Sequence, residues 1–267
     1  MTAVAVDPVP LPTLREQGVV AARNPIAKLA AAAIIAVGLV ASLDTVSAAV
    51  ALALEVPLFL AAGLGWRRFW RRTAVVWIAA PLAALTIALY GRTDGTVHWE
   101  WLLIRVSDGS LDLALATGVR LLAVALPSVV LFATVDPTDL ADGLGQVLRM
   151  PARFVLGALA GLRLLSVLRD DQRTLALARR ARGVADRGRL RRFAGMAFGI
   201  LVVALRRGSA LATTMEARGF GGPTRRTWAR PSRVDARDLL LVLAAVAIVA
   251  GAITAAVVAG TWRFVVG

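Results

Sequence analysis

The residues best placed to do chemistry in this chain are two arginines set in the same three letters. Ala181-Arg182-Gly183 stands in "ALARRARGVA" and Ala217-Arg218-Gly219 in "TTMEARGFGG", thirty-six residues further on. What such a triplet offers is recognition rather than bond making. A small residue, a planar forked cation and a helix-ending glycine expose a tip whose guanidinium meets carboxylates or carbonyls in a groove of a partner. The plainer alternative is a helix C-cap, in which a cation near the negative end of the helix dipole contributes about 0.3–1 kcal/mol.

Groups suited to covalent or metal chemistry are sparse. The chain has no cysteine and a single histidine, His98, in "DGTVHWEW". No thiolate, histidine triad or His-based metal site can be assembled from that stock, and no Gly-x-x-x-x-Gly-Lys sequence is present to bind ATP. The stretch "DLADGLG", from Asp139 to Gly145, opens like the Asp-x-x-Asp-Gly signature of CDP-alcohol phosphotransferases. It then fails: Gln146 and Val147 replace the required Ala-Arg, and Gly161 falls where an aspartate is needed. Asp139 and Asp142 are therefore read as solvated or capping residues, and the chain is not expected to be an enzyme or to hold a metal.

The elements that must carry the two triplets follow from composition. Hydrophobic residues make up 58% of the 267, and mean hydropathy is +0.71. That exceeds the roughly 45–50% apolar content of soluble domains. Five apolar blocks, at 29–43, 46–64, 73–90, 113–135 and 239–259, approach or reach the ~20 helical residues needed to cross a bilayer. The first is short, and only Asp44 and Thr45 join it to the second, so these two form a tight hairpin. The fold expected is an all-α integral membrane protein of about five transmembrane helices plus a region of long amphipathic helices. Its divisions are an N-terminal segment 1–28, transmembrane helices 1–4 at 29–135, the amphipathic region at 136–238, and the last span with a short tail at 239–267.

Charge sets the orientation. Arg15, Arg23, Lys28, Arg67, Arg68, Arg71 and Arg72 lie on one side of the spans, whereas Arg92, Arg105 and Arg263 lie on the other, diluted by Asp94, Glu100 and Asp108. The positive-inside rule puts the N-terminus in the cytoplasm and, with five spans, the C-terminus outside. The opening "MTAVAVDPVPLP" has no basic stretch running into an apolar core, so no secretory signal peptide is expected.

Between 136 and 238 there are twenty arginines against eight aspartates and one glutamate, a net charge of +11 beside the membrane. Anionic lipid headgroups are one counterpart for such a face. Nucleic acid is not expected, because no stacking aromatic series accompanies the arginines. A helix of some thirty residues is expected from Pro151 to the capping Gly183, about 45 Å long. The apolar stretch 193–205 is too short to span by itself and reads as interfacial or protein-buried, continuing as a helix to Gly219.

Two ionisable residues fall inside spans: Glu55, close to Pro57, and Arg120, about two turns into the fourth block. Intramembrane charges generally face protein or a cavity. The readings open for them are a mutual pair, contact of Arg120 with a membrane partner, snorkelling of Arg120 to the outer surface, or simple toleration of Glu55.

Taken together, "NPIAKL" at 24–29, "FATVDPTDLADGL" at 132–144, "ARRARG" and "MEARGF" make the chain resemble the transmembrane T component of energy-coupling factor transporters. Asn24 and Ala27 depart from the commoner Asp and Arg of that family, and Arg179 stands where Gln is frequent. The resemblance implies a non-catalytic coupling subunit of an importer for vitamins or metal ions in a prokaryotic cell membrane. It implies two ABC ATPase subunits that hold ATP and Mg, each receiving one Ala-Arg-Gly motif, and a substrate-binding S component beside Glu55 or Arg120. The competing class is a self-contained secondary carrier or channel, with Glu55 and Arg120 as its ion pathway.

Overall fold

The computed structural model describes residues 18–41, 44–91, 95–101, 104–183, 188–222 and 227–261. Arg15, Arg92, Asp94 and Arg263, which enter the charge count above, lie outside them. Eight helices are described: α1 Pro25–Val40, α2 Thr45–Ala61, α3 Trp66–Tyr90, α4 Asp108–Ala133, α5 Pro137–Gln146, α6 Ala152–Ala181, α7 Arg189–Ala217 and α8 Ala236–Val258. They form two compact units, residues 1–140 with 233–267, and residues 141–232.

The first unit bundles α1, α2, α3, α4 and α8. Its core is small and aliphatic: Ala31, Ile35 and Leu39 of α1 and Ala51 of α2 meet Ala123, Val130 and Leu131 of α4, and Ala245 and Ala252 of α8. Small side chains suit a membrane bundle, where helices gain by close packing rather than by escaping water. At Gly38 of α1 an added Cβ would lie 2.4 Å from Val249 of α8, so that crossing depends on the missing side chain.

α1 and α2 have 16 and 17 residues, about 24–26 Å of helix, which falls short of a full hydrocarbon layer. Asp44 closes the hairpin between them as the N-cap of α2, accepting from the Ser47 amide and hydroxyl at 2.7 Å each. Among the described residues four helices are long and apolar enough to cross a membrane: α3, α4, α8 and the Phe193–Ala217 part of α7. α7 runs unbroken past the short apolar stretch seen in the sequence, which is why its length qualifies. Arg206 and Arg207 nevertheless sit near its middle, where an arginine costs about 2.5–3.5 kcal/mol at a bilayer centre. Arg207 instead pairs with Asp171 of α6 at 2.9 Å.

Several boundaries differ from the sequence expectation. The basic run "WRRFWRR" is the opening of α3 rather than a loop, and α4 begins at Asp108, where Ser107 and Ser110 form a capping box. Residues 137–146 fold as α5, and it is Asp136 whose carboxylate caps it, accepting from the Thr138 amide at 2.7 Å. Between α3 and α4 the chain also makes a short antiparallel hairpin, β1 Val97–Trp101 with β2 Ile104–Ser107, added to the otherwise helical fold.

One end of the bundle is tied by polar groups. The Lys28 side chain, 2% exposed, donates to the Ala21 carbonyl at 2.9 Å and the Thr134 carbonyl at 3.1 Å. It thus joins the lead-in of α1 to the exit of α4. Asn24 caps α1, and its backbone amide donates to Asp238 Oδ1 at 2.9 Å, while its side-chain amide donates to the Arg233 carbonyl at 2.9 Å. Asp238 Oδ2 accepts from the Asp235 amide at 2.9 Å, closing the capping box of α8.

Replacing Lys28 by Met keeps the length of the side chain and orphans the two carbonyls. We expect Lys28→Met to destabilise the detergent-solubilised protein by about 1–3 kcal/mol in reversible unfolding. An unchanged unfolding midpoint would mean that the ammonium contributes nothing net.

Candidate functional site

Both triplets end their helices by the same backbone device. α6 stops at Ala181 with Arg182 as C-cap (φ −88°, ψ 4°), and α7 stops at Ala217 with Arg218 as C-cap (φ −87°, ψ 10°). Gly183 and Gly219 follow at φ +67° and +75°, a left-handed conformation that costs a residue with a Cβ roughly 1–2 kcal/mol. Nothing lies within 4 Å of where their Cβ atoms would be, so conformation rather than space requires glycine.

At the second tip the Gly219 amide donates to the Glu216 carbonyl at 2.9 Å and the Phe220 amide to the Met215 carbonyl at 2.9 Å. This pair defines a Schellman cap. At the first tip the Gly183 amide donates to the Arg180 carbonyl at 3.0 Å, the same inner bond. All six triplet residues are exposed. Among the described residues, neither Arg182 nor Arg218 makes a side-chain hydrogen bond or ion pair. Both arginines are exposed at the helix tips.

What positions the tips is a seam between α6 and α7. Arg179 donates from Nη2 to the Gly195 carbonyl at 2.9 Å. A Cβ on Gly195 would lie 2.8 Å from Arg179 Nη1, and one on Gly199 would lie 2.9 Å from Leu175 Cδ2. Further along, Arg207 meets Asp171. Residues 179, 175 and 171 thus face 195, 199 and 207 in reverse order, so the helices run antiparallel. The Arg182 tip lies beside the start of α7 and the Arg218 tip at its far end, separated by roughly the 29-residue length of that helix, on the order of 40 Å.

The seam was not read from the sequence, where Arg179 is only a departure from a family pattern. Its signal is the Gly195-x-x-x-Gly199 spacing, which places two small residues on one helix face. Lys28 and Asp238 were missed for a different reason, since each has a partner more than a hundred residues away in sequence: the Thr134 carbonyl for Lys28 and the Asn24 amide for Asp238.

Glu55 and Arg120 are not brought together. Glu55 is fully buried in the first unit, and neither carboxylate oxygen has a hydrogen-bond partner. Of the readings open for the two residues, a direct hydrogen-bonded pair is the one this geometry does not make, since both Glu55 oxygens lack a partner. Glu55 is enclosed within the first unit.

A family model described as "CbiQ: Cobalt transport protein" matches residues 18–228. Among curated relatives, a protein of Limosilactobacillus fermentum called energy-coupling factor transporter transmembrane protein EcfT is 28% identical over 63% of this chain and 69% of its own length. Proteins of the same name from Exiguobacterium sibiricum and Brevibacillus brevis are 29% and 27% identical, over 61% and 70% of this chain and 66% and 72% of theirs. The chain thus spans about two thirds of the length of these relatives.

The absence of cysteine makes the seam directly testable. A Leu175→Cys/Gly199→Cys pair should form a disulfide in mild oxidant. Adding Gly195→Leu, which drives a side chain into Arg179, should reduce the yield several-fold. Equal cross-linking with and without that wedge would contradict the packing described.

Proposed function

This chain belongs to the family of CbiQ, cobalt transport protein, and we propose that it is the transmembrane component of an energy-coupling factor transporter whose two arginine tips each seat in one of two ATP-binding-cassette ATPases. The observation that carries this reading is the duplicated tip. Two exposed Ala-Arg-Gly ends share one cap geometry and lie at opposite ends of one antiparallel helix pair. A C-cap in water gains little from an arginine. Two outward guanidiniums on the order of 40 Å apart suit a two-subunit partner better than a single groove.

In this mechanism ATP and Mg reside on the ATPases, and this chain performs no covalent step. When the ATPase dimer closes or opens, its two grooves move relative to each other. The α6–α7 pair, stapled by Arg179 and by the Arg207–Asp171 pair, receives that displacement at its ends. The long helices then pass it to a substrate-binding S component in the membrane, which selects a vitamin or metal ion. Support for a membrane partner comes from the surface of α6 and α7, which leaves Phe154, Leu162, Leu177, Phe198 and Leu205 exposed. We place the N-terminus in the cytoplasm on the arginine asymmetry of the loops.

Truncating or reversing a buried interfacial arginine generally costs about 2–5 kcal/mol of binding. Arg182→Glu and Arg218→Glu are each expected to weaken co-purification of the ATPases at least tenfold and to abolish ATP-driven uptake, with helical content and expression unchanged. Normal ATPase association and uptake in both variants would overturn the docking assignment.

A further inference from the structure

At the end of the first unit where α3 begins, a groove of about 400 Å³ opens between α3 and α4, lined by Arg72, Val129, Phe132 and Ala133. One cation stands over an otherwise apolar wall. Arg68 lies one turn below Arg72 on the same stripe of α3, and Arg67 and Arg71 flank them. All four are exposed, and α3 contains no acidic residue. Among the described residues none of the four makes an ion pair or side-chain hydrogen bond. Among the described residues their charge has no counterpart.

The same end of α3 is marked as a membrane boundary by its aromatic residues. Trp66 stacks edge-on against Trp70 at 5.5 Å, and Trp70 lies 5.2 Å from Trp77. Such rings settle at the level of lipid headgroups. Beyond this belt both walls of the groove belong to helices long enough to span a bilayer. An occupant must therefore carry a negative head at the arginines and an apolar body along Val129 and Phe132.

We propose that this groove binds one anionic glycerophospholipid. Arg72, assisted by Arg68, donates to the headgroup phosphate in the forked geometry guanidinium favours, and an acyl chain packs on Val129, Phe132 and Ala133. A zwitterionic lipid presents the same phosphate with a compensating cation, which the surrounding arginines repel. The site is independent of the transporter reading, because it needs only that α3 and α4 lie in a bilayer.

The test is native mass spectrometry of the full-length chain, delipidated in detergent and given equimolar phosphatidylglycerol and phosphatidylcholine, scoring the first lipid retained. Wild type is expected to retain phosphatidylglycerol at least about fivefold over phosphatidylcholine, as is an Arg163→Gln/Arg169→Gln control on α6. Arg68→Gln/Arg72→Gln should bring the ratio close to one, a loss of the order expected for two arginines at an anionic surface. Arg68→Lys/Arg72→Lys, which keeps the charge, should retain most of the preference. Equal retention of the two lipids by wild type, or a preference untouched in Arg68→Gln/Arg72→Gln, would overturn the proposal. Displacement of the lipid by millimolar inorganic phosphate would overturn it too, by assigning the arginines to a free anion.

Discussion

The close approach of α6 and α7 is the contact on which the rest of the functional unit depends. It exists because Gly195 and Gly199 present no side chain where Arg179 and Leu175 must pass. With that gap, the Arg179 guanidinium reaches a backbone carbonyl of the opposite helix and the Asp171–Arg207 pair closes the seam further along. Exposed ion pairs contribute little alone. Here the charge contacts fix the register of two helices that bury almost nothing else: Val155 is the one buried residue of α6, and α7 has none among the described residues. Two separately mobile helices would dissipate a displacement applied at their tips, whereas one stapled pair carries it.

The bundle solves a different problem. Lipid tails give apolar helices no reason to prefer one another, so the bundle relies on small residues at its crossings and on polar groups satisfied at its ends. Lys28, Asn24 and Asp238 do this at the end where α1 and α8 begin and α4 leaves. Asp44 does so at the head of the α1–α2 hairpin. Glu55 is the exception, a buried carboxyl group with both oxygens unpartnered in a helix interrupted by Pro57. Among the described residues no hydrogen bond satisfies it.

The sequence made the tips legible because helix ends are local: an arginine followed by glycine at the end of a helical stretch states its own geometry, and the left-handed Gly183 and Gly219 agree. The spans of α4 and α8 were legible from hydropathy to within five residues at their ends, whereas α3 begins seven residues ahead of its apolar block. The boundary errors have local causes as well. Arginine and tryptophan are good enough helix formers for α3 to continue through "WRRFWRR", and Asp136, just before Pro137, starts a helix that the failed enzyme signature obscured. What sequence could not disclose was pairing at a distance. Nothing local to Lys28 names Thr134, and nothing local to Glu55 says that its carboxylate is enclosed without a hydrogen-bond partner.

The central claim is that one chain with two tips engages two ATPases. Purifying the tagged protein from its native membrane in mild detergent and weighing the intact complex by native mass spectrometry tests it most directly. The account predicts one copy of this chain with two ATP-binding-cassette ATPases and one small apolar membrane protein. A folded, monodisperse chain that emerges alone, or with a single ATPase, would contradict it.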